Sequence, residues 1–253
     1  MSRMFFQLEN LRFTFPGKNF LLNSVSVTLG EKKIYALLGG NGSGKTTLFN
    51  IISGYLRPQS GRVTFKEQDL SGLPPYRINR IGIGRTFQDL RLISKLTVRE
   101  NILLAMRHNP TDSWVKALLP PRVFRDELGQ MNSKADGIIA DYFLEGVASS
   151  PAGEISFGQQ KLLALACCVA NGAEFLLIDE PVAGISPAYR EQMIHLLKGL
   201  KDRGKTILMI EHNTEFVAAA ADSFLFLNDG RLDVYSTFDS MRSSRTVADV
   251  YFQ

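Results

Sequence analysis

The run that most narrows what this chain can fold into is Gly39-Gly40-Asn41-Gly42-Ser43-Gly44-Lys45-Thr46, set directly behind the apolar stretch Ile34–Leu38. A glycine, four residues and then Gly-Lys-Thr let the backbone turn so that successive N–H groups point inward. The turn sits at the mouth of a helix whose dipole favours an anion there. The spacing therefore predicts a strand, a phosphate-cradling loop and a helix opening near Lys45. The ligand it suits is ATP: Lys45 reaches the β and γ phosphates as a point charge, and the Thr46 hydroxyl is placed to ligate Mg2+. The neighbouring Thr47 joins the ATP-binding set.

The rest of the chain is built to match. Its 253 residues suffice for one large domain or a domain with a sub-lobe, and 45% hydrophobic with 21% charged residues is ordinary for a folded protein. No apolar stretch approaches the roughly 20 residues of a membrane span, and the first residues lack a long apolar leader, so a cytoplasmic protein is expected. Cys167 and Cys168 are adjacent within a helical pattern, badly placed to bridge each other or hold a metal, and read as small core residues. The net charge of +4 is spread without a basic tract or interleaved aromatics, which argues against nucleic acid as a partner.

Along the chain, apolar residues alternate through Phe6, Leu8, Leu11, Phe13 and Phe15, and again through Val25, Val27 and Leu29, with residues 15–19 as a turn. That pattern predicts antiparallel strands. From Ile34 onward, short continuous apolar runs at 34–38, 175–178, 207–210 and 224–227 are separated by helix-length segments, as in strands buried on both faces of a mostly parallel sheet. Between residues 89 and 150 strand signals fade. Amphipathic patterns at 98–107 and 135–145, joined across Pro120-Pro121, predict a helical lobe, and a further helix is expected over 159–170. The expected fold class is α/β.

A second acidic element is needed beside the phosphate loop. The strand at 175–178 runs into Asp179-Glu180, placing two carboxylates at a strand's carboxyl end, where ligands collect in open α/β sheets. Asp179 is read as supporting magnesium and Glu180 as the general base that polarises the attacking water. His212, behind the strand at 206–210, is placed to contact the γ phosphate. His108 and His195 draw no role.

Taken in order, these motifs resemble the nucleotide-binding subunit of ATP-binding cassette (ABC) transporters along nearly the whole chain. Residues 39–46 match the Walker A loop, Phe87-Gln88 the glutamine loop, Ile155-Ser156-Phe157-Gly158-Gln159 the signature, residues 176–180 the Walker B strand, and His212 the switch histidine. The resemblance implies a P-loop ATPase core with an N-terminal antiparallel β sub-lobe. The core spans 1–88 and 165–253, with an inserted helical subdomain at 89–164. It implies that Gln88 joins magnesium and the attacking water to the helical lobe. The signature residues Ser156, Phe157, Gly158 and Gln159 would form a second anion site at a helix start, closing over ATP held by another subunit. Phe15 stands where the family stacks an aromatic on adenine, with Phe13 as the competitor.

Two positions depart from the commonest family pattern: Phe157 stands where glycine is usual, and Ser186 in Ala183-Gly184-Ile185-Ser186 where Asp or Asn is usual. An aromatic at the former is familiar in the branched-chain amino-acid group, whereas Ser186 puts symmetric dimerisation in question. The segments 83–92, 96–101 and 156–160 look like the ATPases of high-affinity branched-chain amino-acid importers, with those of urea importers and lipopolysaccharide exporters near in pattern. The resemblance implies a second cassette subunit, identical or homologous, transmembrane permease subunits, a solute-binding protein in an importer, and a place on the inner face of the cell membrane. The competing expectation is a soluble cassette ATPase acting on nucleic acid or ribosomes, or a non-transport regulator; one phosphate loop and no sustained heptads argue against the former.

Overall fold

The computed structural model describes residues 4–17, 20–87, 90–106 and 125–251. Ten strands are defined: β1 Phe6–Phe13, β2 Leu22–Leu29, β3 Ile34–Leu38, β4 Ser60–Phe65, β5 Gln68–Asp69, β6 Ile83–Arg85, β7 Phe175–Asp179, β8 Thr206–Ile210, β9 Ser223–Asn228 and β10 Arg231–Tyr235. The helices are α1 Lys45–Ile52, α2 Pro75–Ile81, α3 Val98–Ala105, α4 Arg125–Asp141, α5 Phe157–Ala170, α6 Pro187–Asp202, α7 Thr214–Ala220, α8 Phe238–Arg242 and α9 Arg245–Tyr251. The chain is α/β, and its contacts divide it into two compact units.

The first unit comprises Met1–Arg85, Glu174–Val182 and Leu197–Gln253. It holds a four-stranded antiparallel sheet of order β2-β1-β4-β5 and a six-stranded sheet of order β10-β9-β3-β8-β7-β6. In the larger sheet only the β9–β10 pair is antiparallel. Strands β3, β7 and β8 are buried at every position, which is why their sequences read as continuous apolar runs. β1 buries Phe6, Leu8, Leu11 and Phe13, with a register shift between Leu8 and Leu11 where the alternation changes parity, and it ends at Phe13, so Phe15 lies beyond the strand.

The two sheets share one core, at whose centre Phe5 meets Phe65 edge to face with centroids 5.0 Å apart, and Phe175 at 5.7 Å. Each such aromatic pair adds about 0.5–1.5 kcal/mol beyond the area it buries. This cluster fastens β7, the strand that ends in Asp179, to the antiparallel sheet.

The second unit comprises Thr86–Ala173 and Ala183–Leu196 and, in its described residues, is helical. Helix α4, described over Arg125–Asp141, already covers the ten residues before the expected 135 and stops four before 145. Asp126 and Glu127 stand in the first turn of its described residues, where acidic side chains suit the positive end of a helix dipole. Leu96-Thr97-Val98-Arg99-Glu100-Asn101 also acquires a physical meaning. Thr97 and Glu100 form a capping box for α3, while the Asn101 amide donates to Ile93 O, Leu96 O and Thr97 O and its oxygen accepts from Ile93 N. Cys167 and Cys168 are half-buried residues of α5 rather than core residues, although burial pushes both thiols up to about 12.

Candidate functional site

Three adjacent strands of the parallel sheet end at one place. β3, β8 and β7 are neighbours, and Ile210 at the tip of β8 pairs with Leu37 on one side and Asp179 on the other. The phosphate loop follows β3, the acidic pair closes β7, and His212 follows β8. Strand order thus gathers segments that lie far apart in sequence.

The loop itself is shaped by close approaches. Gly39 adopts φ 149°, and a Cβ there would stand 2.2 Å from Leu227 O and 2.7 Å from Ser43 Oγ, so no larger residue fits. Gly44, at φ 105°, precedes α1, and no side chain caps that helix. Its first N–H groups are left for a ligand, the usual condition of an anion site. The Ser43 hydroxyl is buried without a hydrogen-bond partner in the structure. Lys45 is only 7% exposed and its ammonium donates to Gly39 O at 2.8 Å and Gly40 O at 2.9 Å. Burial lowers its pKa, against the raising influence of Glu180 and Asp179. An uncapped helix start, an unpartnered hydroxyl and a desolvated lysine fit a polyphosphate.

A cleft of about 510 Å³ opens here, lined by Phe15, Leu21, residues 41–47, Glu180, Ile210 and His212. Phe15 is 40% exposed, whereas Phe13 is buried in the core and meets Phe15 edge to face at 5.0 Å. Glu180 takes a left-handed backbone conformation, φ 48°, which costs a non-glycine residue roughly 1–2 kcal/mol. Its N–H donates to Ile210 O at 2.9 Å, and its Oε1 lies 3.7 Å from His212 Nε2.

Asp179, the last residue of β7 and the neighbour of Glu180, is largely buried. Burial raises its pKa, outweighing the opposing pull of Arg85, while Glu180 adds to the rise. Arg85, at the end of β6, sets its Nη2 3.6 Å from Asp179 Oδ2 with both side chains 6% exposed, and its Nη1 donates to Asn50 Oδ1 at 2.7 Å and Ser53 Oγ at 2.9 Å. Sequence reading missed this arginine, and only a conspicuous charge between Gly84 and Thr86 hinted at it. It also missed Glu211, a buried acid ahead of His212. Gln88 and His108 lie outside the described residues; His195 is exposed on α6.

The second unit carries the signature residues. Ser156 caps α5, its hydroxyl accepting from Gln159 N at 3.3 Å while the Gln159 side chain accepts from Ser156 N at 3.0 Å. Phe157 is 48% exposed, with Lys161 Nζ 5.3 Å from its ring centre and Gly184 against its edge. Gly158 packs under the Tyr189 ring, where a Cβ would stand 3.1 Å from ring carbons. Ser186 is exposed and its carbonyl accepts from Arg190 N at 3.1 Å.

Comparison with known proteins gives a consistent likeness. The sequence pattern of a family described as ABC transporter matches residues 22–183. The high-affinity branched-chain amino acid transport ATP-binding protein LivG of Salmonella typhimurium is 32% identical over 252 residues, covering 99% of this chain and 98% of the relative. The high-affinity branched-chain amino acid transport ATP-binding protein BraF of Pseudomonas aeruginosa is 30% identical over equal shares. Among solved structures, a nucleotide-free ATP-binding cassette from an ABC transporter superposes with a TM-score of 0.83 at 28% identity, and an ADP conformation of a cassette at 0.82 and 27%, each covering 98% of both chains.

Proposed function

The chain belongs to the ABC transporter family and is an ATP-binding, ATP-hydrolysing subunit, and from that premise we propose that it powers import of a branched-chain amino acid or similar solute through a partner permease. The observation that carries the hydrolytic part is the convergence of phosphate loop, Glu180 and His212 on one cleft. The choice of solute rests on the near-full-length likeness to LivG and BraF.

In this reading the adenine stacks on Phe15 and the phosphates settle on the α1 N–H groups, with the Ser43 hydroxyl donating to them. Lys45 exchanges its carbonyl partners Gly39 and Gly40 for β and γ phosphate oxygens, a gain for a cation already out of water. Thr46 and Asp179 would hold Mg2+, with Gln88 contributing from the glutamine loop. When bound, the ion neutralises charge developing on the phosphates. Glu180 takes the proton of the attacking water, and His212 holds the γ phosphate in line while restraining the Glu180 carboxylate. Ser156, Phe157, Gly158 and Gln159 serve the nucleotide of a second cassette subunit, so two ATP molecules lie between two chains and an isolated chain turns over slowly. The working position is the inner face of the cell membrane, beside the permease and, for an importer, a solute-binding protein outside.

Glu180→Gln should leave ATP bound while steady-state hydrolysis falls by at least about 100-fold, since the base is removed and the grip on phosphate is kept. Undiminished hydrolysis would overturn the assignment. For the transport reading, the tagged chain drawn from detergent-solubilised membranes should bring down a hydrophobic permease; recovery only with ribosomes or DNA would reverse it.

A further inference from the structure

Glu211 is 3% exposed, yet it stands between the last residue of β8 and His212, where an apolar residue would satisfy packing. Its carboxylate is occupied. Oε1 accepts from Val182 N at 3.0 Å, and Oε2 from His212 N at 2.5 Å and Asn213 N at 3.1 Å. Hydrogen bonds to an ionised acceptor are shorter and roughly twice as strong as neutral ones, so a carboxylate bonded to three amides fixes the segments that supply them.

Those segments are the two that carry Glu180 and His212. The β7–β8 ladder ends at the pair Asp179 and Ile210. Beyond it the chain leaves the sheet at once, with Glu180 in a left-handed conformation, and sheet hydrogen bonds no longer set where the next side chains go. The last rung of the ladder is Glu180 N bonded to Ile210 O, and two residues further on Val182 N is bonded instead to the Glu211 carboxylate. The same carboxylate holds the turn at His212 and Asn213, and the Asn213 side chain caps α7 through Phe216 N at 2.8 Å. Glu211 is absent from the cleft lining and so acts through others.

We infer that Glu211 is a positioning residue for hydrolysis, tying the segment after Glu180 to the turn that carries His212 and so setting how the two present themselves to the γ phosphate. This rests on reading Glu180 and His212 as the hydrolytic pair. A displacement of about 1 Å in such a pair is worth on the order of 100-fold in rate, which gives the tie its leverage.

Glu211→Gln tests it, because a carboxamide of the same shape has one accepting oxygen and can serve Val182 or the His212 turn but not both. In the nucleotide-free full-length chain, amide exchange should rise by about 10-fold or more at Val182 or at His212 and Asn213, with residues 43–47 unchanged. Turnover should fall about 10–100-fold while affinity for a fluorescent ATP analogue stays within about two-fold. In a His212→Ala background the same substitution should cost less than in the wild type, because only the placement of Glu180 is left to lose. Unchanged exchange at all three amides overturns the tie; an equal loss with and without His212, when exchange has risen at His212 and Asn213, overturns its role in positioning His212. Full turnover by His212→Ala alone overturns the catalytic reading beneath it, whatever the exchange shows. Should Glu211→Gln not fold, Glu211→Asp keeps both oxygens but withdraws them by one methylene; the same rise in exchange and fall in turnover are expected of it, and their absence overturns the tie in the same way.

Discussion

Replacing Arg85 by methionine removes a buried cation and keeps most of its volume. The wild-type guanidinium lies 3.6 Å from Asp179, where the Coulomb attraction at an effective dielectric of about 20 is roughly 4.6 kcal/mol before the cost of desolvating either charge. Breaking one side of a buried ion pair typically costs about 3–5 kcal/mol, because the surviving charge stays out of water without its partner. The bonds to Asn50 and Ser53 are lost with it. Arg85→Met should therefore lower unfolding stability by about 4 kcal/mol. At about 2–4 °C per kcal/mol for a chain of this size, that is a fall in Tm of roughly 8–16 °C. Asp179→Asn removes the stranded carboxylate, so adding it to Arg85→Met should restore about 3 kcal/mol rather than subtract more. Urea unfolding of the two single variants and the double variant, followed by circular dichroism without nucleotide, gives the cycle. A loss below about 1 kcal/mol for Arg85→Met, or two losses that simply add, would refute the view that Arg85 is there to balance Asp179.

Other consequences are simpler to check. Lys45→Met should weaken ATP binding by at least about 10-fold in equilibrium titration; unchanged affinity would count against the phosphate loop. Because burial lowers the folded pKa of Lys45, its contribution to stability is present only above the ordinary lysine value and lost as pH falls through the folded one. At neutral pH the same variant should thus be no less stable than wild type without nucleotide. Phe15→Ala should raise the Kd for ATP by about 5–150-fold, the worth of stacking one base on an aromatic, with Tm shifted little because the ring is half-exposed; an unaltered Kd would remove the adenine contact. Cys167 and Cys168, pushed up to about 12, should resist iodoacetamide at pH 8 in the native chain and react once it is unfolded. Both folded values lie above the ordinary thiol value, so their contribution is whole below about pH 8.5 and lost as pH rises toward 12. Cys167→Ala with Cys168→Ala should accordingly flatten the alkaline fall in Tm.

What was legible in the sequence was local or periodic. The phosphate loop declares itself because glycine spacing and the following lysine act within eight residues, and β3, β7 and β8 because strands buried on both faces must be apolar throughout. β4 was not anticipated, since its first three residues are exposed and only Val63, Thr64 and Phe65 turn inward. β6 was not anticipated because three residues carry no period. Residues 125–134 of α4 escaped because they are mostly polar, and helix shows there only as a charge preference. Arg85 and Glu211 were illegible for a deeper reason. Each is a charge whose meaning depends on what the sheet brings beside it, Asp179 across β6 and β7 in one case and Val182, past the ends of β7 and β8, in the other. No pattern within either segment predicts the partner.

The tips of β3, β8 and β7 stand side by side, and through Ile210 they share a single register. Neighbouring strands in any sheet are about 4.8 Å apart, so the separation between the grip on phosphate and the activation of water is measured out in whole strand widths. Such a ruler cannot be stretched by fractions. Drift in the surrounding loops is corrected by a ladder that each new sequence must form anyway to bury its apolar runs. The spacing on which turnover depends is thus inherited from the requirement to fold, and what remains open to adjustment is the last few side chains at the tips.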